Sequence, residues 1–424
     1  MAEQMKPSGI DWIGDIPDEW DITKVRFVTK LRSEQGFYNS DDKYIGLENI
    51  SSYTGEYIST ESEYDAGIYD LYKTGDLLFS KLRPYLAKAL IADDCGFCTG
   101  ELAVIKEYNG DIRYLFYYML SDGFLKMVDA STYGAKMPRA SWDYIKNLQI
   151  PVIGKAEQQA IANFLDKECA QIDSIAADLE KQIALLQQYK KSLITETVTK
   201  GLDKSAPMKD SGVEWIGKIP EHWQKTRIKF EASIIGSGTT PDSGNSMYYD
   251  NGEHSWIQSG DLYGKDYIYE TEKQLTNLAI LECHALNWYT KDFVVVAMYG
   301  ASVGNVAISK IDSFTNQACC VIKLNEKNDN RYLFYFLKAA QEEMLLKAFG
   351  GTQPNISQII IKNLNFLNVP LLEQIEIADF LDSKCDMINE MLKSKKDQYD
   401  ILIKHKKSLI YEYVTGKKRV KEVQ

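Results

Sequence analysis

Long hydrophobic runs are missing from this 424-residue sequence. The longest apolar stretches, such as Phe293–Met298, fall far short of the roughly 18 residues that a membrane-spanning helix requires. The first residues show no signal-peptide pattern either. Seven cysteines, an odd number without framework spacing, indicate reduced thiols of an intracellular protein. The sequence therefore predicts a cytoplasmic protein without a membrane partner.

Signatures of catalysis are missing as well. No two of the ten prolines are adjacent, which excludes the Asn/Asp-Pro-Pro-aromatic signature of amino-methyltransferases. No Gly-Lys pair precedes Ser or Thr, so the chain has no Walker A loop. The four histidines form no paired-ligand spacing, and the Cys95-x-x-Cys98 pair has no second ligand pair. We expect no catalytic residue, no metal site and no cofactor in this chain.

The charge balance is acidic, with a net charge of -11 and an isoelectric point near 5.1. Taken alone, this charge argues against a protein that holds DNA by bulk electrostatic attraction. DNA binding stays compatible with it if cations concentrate on the recognition segments, or if a more basic partner supplies the remaining contacts. The length predicts two or three domains, and 45% hydrophobic residues are enough to form their cores.

An internal duplication organises the chain. Lys6–Trp20 (KPSGIDWIGDIPDEW) recurs as Lys209–Trp223 (KDSGVEWIGKIPEHW), at an offset of 203. Further repeats follow at an offset of 216: Gly134–Ser141 with Gly350–Ser357, Ala162–Asp166 with Ala378–Asp382, and Lys191–Ile194 with Lys407–Ile410. The intervening segments, about 24–150 and 227–369, share little. The repeated segments, which we call the frame, therefore enclose two different intervening segments, which we call the heads.

A heptad pattern begins in each copy after the head. In the first copy it comprises Leu165, Ile172, Leu179, Leu186 and Leu193, with Ile161, Ile175 and Tyr189 on a second row. The second copy has Leu381, Ile388, Leu402 and Leu409, with Ile377 and Met391 on the second row and Lys395 as an interruption. The pattern predicts two long helices that pair with each other. The alternative is that each helix packs only on its own domain.

Connectivity predicts the direction of this pairing. The chain leaves the first helix, builds the second head and then starts the second helix, so the two helices should run antiparallel with the heads at opposite ends. From Ile161 to Glu196 the first helix spans roughly 54 Å, which compares with one to one and a half turns of B-DNA at about 34 Å each. Pseudo-symmetry also requires the N-terminus to dock where the second helix ends, so the chain should be nearly circular.

Loops of the two heads carry different side chains suited to DNA. Cations and polar groups contact phosphates and base edges, and amide side chains suit adenine. The candidates in the first head are Lys81, Arg83, Tyr85, Lys88, Lys136 and Arg139. In the second head they are Thr239, Thr240, Tyr299, Ser302, Asn305, Thr352, Gln353 and Asn355. The alternative is that these are solvated turns. The apolar stretches Arg113–Leu120 and Arg331–Leu337 are interpreted as core helices.

The motifs resemble those of the specificity subunit of Type I restriction-modification systems. They are the SGxxWIGxIPxxW leader, GDLLFSKxRP at 75–84, GSGTTP at 236–241, GTQPNIS at 351–357, and PLLEQ at 370–374 with the KKSLI helix ends. The resemblance covers essentially the whole chain. The first closing loop departs from the family pattern, because it reads Gly-Ala-Lys-Met-Pro, and this puts the contacts of that loop in doubt.

The resemblance implies a non-catalytic subunit that reads a bipartite site on double-stranded DNA, one half-site per head. It also implies two adenine-N6 methyltransferase subunits and restriction/translocase subunits as partners. S-adenosylmethionine, ATP and Mg would belong to those partners. The implied fold class is α+β, with two mixed target-recognition domains joined by two antiparallel helices. An alternative function is a two-headed coiled-coil scaffold for protein partners, and a second is an autonomous enzyme with an unfamiliar site.

The expected domain boundaries follow from the repeats. Residues 1–23 form a leader and 24–155 the first target-recognition domain, followed by a spacer helix at 156–202. The second copy consists of a leader at 203–226, a target-recognition domain at 227–370 and a spacer helix at 371–415. A basic tail, 416–424, closes the sequence.

Overall fold

The structure is a computed structural model that describes residues 4–134, 136–350 and 354–420. The chain divides into two compact units, residues 1–182 with 395–424 and residues 183–394. We call these the first unit and the second unit. Each contains one leader, one head and parts of both long helices. Each unit thus combines one copy of the repeated frame with one of the two different heads.

The first unit contains a leader hairpin, two four-stranded sheets and four short helices, and it shares the first long helix with the second unit. The sheet orders are β5-β7-β10-β6 and β4-β11-β8-β9, and β1 pairs with β2 and β3 with β12. In chain order the elements are β1 (Met5–Pro7), β2 (Asp15–Pro17), β3 (Asp21–Lys24), α1 (Val25–Val28), β4 (Thr29–Leu31), β5 (Gln35–Tyr38), β6 (Tyr44–Ile45), β7 (Gly67–Tyr72), β8 (Leu77–Ser80), β9 (Ala89–Ile91), β10 (Gly96–Cys98), β11 (Leu102–Tyr108), α2 (Ile112–Leu120), α3 (Asp122–Ala130), α4 (Trp142–Ile145), β12 (Gln149–Val152) and α5 (Lys155–Lys200).

The second unit repeats this plan with a larger sheet. The sheet orders are β16-β23-β20-β21-β18 and β19-β17-β22, and β13 pairs with β14 and β15 with β24. Its elements are β13 (Met208–Asp210), β14 (Lys218–Pro220), β15 (Gln224–Arg227), α6 (Ile228–Glu231), β16 (Ala232–Ser237), β17 (His254–Ile257), β18 (Tyr267–Ile268), β19 (Gln274–Leu275), α7 (Asn277–Glu282), β20 (Phe293–Ala297), β21 (Val306–Ser309), β22 (Phe314–Thr315), β23 (Cys319–Leu324), α8 (Asn330–Ala339), α9 (Gln341–Leu346), α10 (Gln358–Asn363), β24 (Asn365–Asn368) and α11 (Leu371–Val414).

Each head has a central strand that is buried on both faces. In β8, Leu77 and Phe79 pack in the core that includes α2, whereas Leu78 packs in a second core on the other face. In β20, Val294 and Val296 pack with α8, and the alternate residues pack on the opposite face. Side chains alternate between the faces of a strand, so a sheet covered on both sides requires a continuous apolar run. The predicted core role of α2 and α8 is confirmed, since most of their residues are buried.

The leaders join the helices in the same way in both units. The indole of Trp20 donates to Glu157 near the start of α5 at 3.2 Å, and Trp223 donates to Glu373 near the start of α11 at 2.7 Å. Helix ends are also held alike. Tyr114 donates its hydroxyl to the carbonyl of Val414, and Tyr332 donates to that of Val198.

Each head is therefore fastened to the beginning of one long helix and to the end of the other. Lys417, beyond the end of α11, donates to the carbonyl of Asp15 in the first leader. This contact joins the first leader to the segment that follows α11.

The long helices run antiparallel within the first unit. Phe164 of α5 stacks against Tyr413 of α11 with ring centroids 4.4 Å apart. Further along α5, Asp173 binds Lys406, which lies earlier in α11. The partner on α11 thus moves backwards as α5 advances. The antiparallel pairing predicted from connectivity is confirmed.

Burial along the two helices agrees with the first predicted row of each helix and differs from the second. Leu165, Ile172 and Leu179 are buried, as are Leu381, Ile388 and Leu409, while Leu186, Leu193 and Leu402 are half-buried. The predicted second row was wrong beyond its first residues, because Ile175 and Tyr189 are 51% and 56% exposed and Met391 is 50% exposed. The actual second row lies one position later, with the buried residues Ala162, Cys169, Ala176, Ala378 and Cys385.

A lysine occupies an equivalent seam position in each unit, at an offset of 216. Lys406 of α11 is 4% exposed, and its Nζ lies 2.7 Å from both carboxylate oxygens of Asp173 on α5. In the second unit, Lys190 of α5 donates to Asn389 of α11 at 2.8 Å. Its countercharge is Asp266 of the head, 3.5 Å away. A polar residue in an apolar seam favours one register, because a shifted register would leave it unpaired.

We predict that Asp173→Asn destabilises the protein, because it leaves the buried ammonium of Lys406 without the carboxylate that faces it. The loss in free energy of unfolding should be about 2 kcal/mol, less than for a fully buried pair because Asp173 is partly exposed. Chemical denaturation measures it. The matched control is Asn389→Asp, which adds a carboxylate beside Lys190 and should change stability little. Equal effects of both substitutions would contradict the assigned pairing.

A circularly permuted chain should also fold. We predict that joining residue 424 to residue 1 and reopening at Ser205, an exposed residue between α5 and β13, preserves the thermal unfolding midpoint within a few degrees. The reason is that both leaders make the same contacts, whichever helix end precedes them in the chain. Circular dichroism with temperature checks this. The control permutant, reopened inside α5 at Asp178, should unfold. A Ser205 permutant that does not fold would refute the near-circular arrangement.

Candidate nucleic-acid interface

In the first head, the loop after β8 and the closing loop are held together by backbone hydrogen bonds. Ala140 donates its backbone N–H to the carbonyl of Lys81 at 2.8 Å. Arg83 donates to the carbonyl of Pro138, also at 2.8 Å. These bonds place the predicted residues of the two loops at one edge of the head, although the loops are more than 50 residues apart in sequence.

Backbone geometry turns several of these side chains outward. Arg83 has a φ of 48° and precedes the buried Pro84, so a left-handed residue reverses the chain at this point. Arg83, Tyr85 and Lys136 are exposed, and Lys81 is half-buried. This edge therefore presents two exposed cations and a phenol to solvent, which are groups that bind phosphates and base edges.

Two of the predicted cations already have partners inside the head. Lys88 donates to the carbonyl of Leu47 at 2.6 Å, and burial lowers the pKa of Lys88. The structure thus turns Lys88 inward, away from the exposed edge. Arg139 forms an ion pair with Glu101 but stays exposed. Arg139 can contact a ligand only in competition with that carboxylate.

Four segments meet at the corresponding edge of the second head. Ile356 donates its backbone N–H to the carbonyl of Met298 at 2.7 Å, and Met298 donates to the carbonyl of Ala318 at 2.7 Å. Thr240 donates its hydroxyl to Gln317. The first of these bonds corresponds to the one between Ala140 and Lys81. The frame therefore brings the same two loops together in both heads.

The predicted residues of the second head differ in exposure. Ser302 is 5% exposed, so its hydroxyl lies inside the head. Tyr299, Asn305, Thr239 and Thr240 are half-buried, and Asn355 is exposed. Asn305 accepts from Gln341 at 3.5 Å, and the carbonyl of Thr239 accepts from the indole of Trp256 at 3.3 Å. Thr352 and Gln353 lie outside the described residues.

Sequence reasoning missed two exposed aromatic residues at these edges, Tyr133 and Phe349. They are 62% and 70% exposed and occupy equivalent positions, directly before Gly134 and Gly350. The offset of 216 could have found them, because an aromatic residue precedes the closing loop in both copies.

The parts of the chain that the structure describes contain no cluster of three His, Cys, Asp or Glu side chains that could hold a metal ion. Cys95 and Cys98 are free thiols, and burial raises the pKa of Cys98 to about 12. A thiol with this pKa stays protonated at neutral pH. No described helix is long and apolar enough to cross a bilayer.

Known proteins similar to this chain are specificity subunits. A model of the family described as "Type I restriction modification DNA specificity domain" matches residues 220–398. A putative type I restriction enzyme MjaX specificity subunit from Methanocaldococcus jannaschii is 26% identical over 437 residues, covering 96% of both chains. The MjaIX specificity subunit of the same organism is 31% identical over 193 residues, 45% of this chain and 43% of that one.

Solved structures share the fold. One solved structure comes from work on complex assembly and conformational transition of the type I R-M system. Its TM-score is 0.68 at 16% identity, and the match covers 94% of this chain and 98% of that chain. The HsdS subunit from Thermoanaerobacter tengcongensis has a TM-score of 0.51 at 16% identity, covering 95% and 98%. The predicted fold class, two mixed α/β heads joined by long helices, is confirmed.

The chain is similar over most of its length to a specificity subunit of a type I restriction enzyme, and residues 220–398 match the DNA specificity domain of that family. The relatives that it matches are named as specificity subunits.

Proposed function

We propose that this chain reads a bipartite DNA target, one half-site per head, within a Type I restriction-modification complex. In that complex it positions two adenine-N6 methyltransferase subunits and a translocase-nuclease subunit. The chain itself is non-catalytic, and the methyltransferase and site-specific deoxyribonuclease activities belong to the complex. S-adenosylmethionine, ATP and Mg are used by the partner subunits.

One observation carries this proposal: equivalent backbone bonds hold the two loops together in both heads, while the side chains on those loops differ. The bond from Ala140 to Lys81 corresponds to that from Ile356 to Met298. Around the first bond lie exposed cations, and around the second lie hydroxyl and amide groups. A frame that presents the same loops twice with different chemistry is suited to reading two different half-sites.

The chemistry of each edge favours a different base. Arg83 and Arg139 can donate two hydrogen bonds to guanine, and Lys81 and Lys136 suit guanine or phosphate. In the second head, Asn355 can pair with adenine through its amide. The acidic charge of the whole chain does not oppose this, because these cations are concentrated at one edge of the first head.

The helix pair supports a spacer role. The heptad rows and the two lysines with their polar partners favour one antiparallel register of the helices. The length over which the two helices pair is therefore fixed. We propose that it sets the gap between the half-sites and forms part of the surface on which the methyltransferases dock.

The experiment that tests the function is a genome-wide map of N6-methyladenine in cells that co-express this chain with a cognate methyltransferase subunit. A split motif with a fixed gap would support the proposal. No new methylation from a soluble complex would contradict it and favour a scaffold for protein partners. The control is the methyltransferase expressed without this chain.

We predict that Lys81→Ala together with Arg83→Ala changes the recognition of one half-site only, because both residues lie at the edge of the first head. The methylation map should show relaxed bases in one half of the motif and an unchanged second half. Lys106→Ala, an exposed lysine on β11, is the control and should leave the motif intact. Unaltered recognition of both halves would remove this loop from the DNA contacts.

We also predict that removing one heptad from each helix, residues 183–189 and 390–396, shortens the gap in the motif. Seven residues span about 10 Å of helix, which corresponds to about three base pairs at roughly 34 Å per turn. The deletions follow the antiparallel register, so the remaining seam is preserved. Gln187→Ala, which keeps the length, is the control. A gap that stays unchanged in a folded deletion variant would refute the spacer role.

A further inference from the structure

The closing loop of each head begins with the same local structure, an aromatic residue followed by a left-handed glycine. Tyr133 precedes Gly134, which has a φ of 92°, and Phe349 precedes Gly350, which has a φ of 93°. This backbone conformation is strained for any residue with a side chain. It is kept in both heads although the loop residues that follow it differ in charge.

Hydrogen bonds hold each aromatic residue across from a proposed DNA contact. Tyr133 and Arg139 exchange both backbone hydrogen bonds, at 3.2 and 3.1 Å, and Phe349 and Asn355 exchange theirs at 3.0 and 2.7 Å. Each ring is therefore carried by a residue paired with the residue whose side chain is expected to read a base.

Other apolar side chains are exposed at the same edges. In the first head these are Tyr85 and Met137, at 49% and 57%, and in the second head Leu346, at 83%. A single exposed apolar residue has no special meaning. Tyr133 and Phe349, in contrast, occupy equivalent positions beside the proposed DNA contacts of two otherwise different heads. This equivalence indicates a contact that both heads make.

We propose that the rings of Tyr133 and Phe349 contact the DNA duplex directly, once per half-site and without regard to sequence. The inference rests on the proposed function and adds an apolar contact to it. Aromatic rings bind nucleic acid by stacking on bases or by wedging at a base step, and neither mode needs a hydroxyl group. This explains why one head has tyrosine and the other phenylalanine at the equivalent position.

The same rings could serve a protein partner, but their position favours DNA. Each ring lies on a residue that is bridged to Arg139 or Asn355, so a surface that covers the ring also covers the side chain proposed to read a base. A duplex can occupy both at once, since phosphates and base edges lie beside the stacked bases.

The test measures DNA affinity against salt for the complex with methyltransferase subunits, using a duplex that contains the mapped motif. Tyr133→Ala and Phe349→Ala should each weaken binding by about tenfold, because the contact between the ring and the bases is lost. The slope of log affinity against log salt should stay unchanged, because no phosphate contact is lost. Lys136→Ala is the contrasting control, and it should reduce that slope by about 0.9.

The conservative variants Tyr133→Phe and Phe349→Tyr should retain wild-type affinity, which separates loss of the ring from a local folding defect. Unchanged affinity of the alanine variants would overturn the inference. So would a changed salt slope, or alanine variants that lose the methyltransferase subunits instead of DNA. A wild-type complex without site-specific binding would instead refute the proposed function itself.

Discussion

The burial of the helix seams is the constraint on which the rest of the structure depends. Neither α5 nor α11 can remove its row of leucine and isoleucine side chains from water alone, so the chain has to return along itself. Lys406 and Lys190 then select the register, because each needs a polar partner on the opposite helix. Each lysine is also coupled to its head, Lys406 through the carbonyl of Tyr53 and Lys190 through Asp266. Register and head attachment are thus parts of one polar network in each unit.

The duplication separates what must stay constant from what may differ. Constant features are those that fasten a head to the helices. In the first head, Arg113 binds Asp166 at the start of α5, and in the second Arg331 binds Asp382 at the start of α11. Tyr117 and Tyr335 donate to the same aspartates. The two loops that meet at the edge of each head do not need conserved side chains, because backbone hydrogen bonds hold them together.

Much of the fold could be predicted from the sequence because repeats and heptads report geometry directly. The second helix row could not be placed, because the large side chains of Ile175 and Tyr189 suggested a buried row, whereas the small residues Cys169 and Ala176 are the buried ones. Of the candidate site, the sequence provided only the candidate residues of each loop, and the pairing of the two loops is visible only in the structure. The inward direction of Lys88 was not predictable, since it depends on a carbonyl at Leu47 that is distant in sequence.

One acidic side chain of this chain, Glu101, lies at the edge of the first head where the two loops meet. Arg139 is already paired with Glu101, so any phosphate or base has to displace that carboxylate. Such competition lowers affinity for DNA in general, because a nonspecific phosphate offers Arg139 little more than Glu101 does. A guanine that accepts two hydrogen bonds in the right geometry offers more. An acidic neighbour therefore lowers the affinity for DNA and raises the selectivity for the correct base. A net negative charge is compatible with a subunit that recognises DNA if its partners supply the remaining attraction.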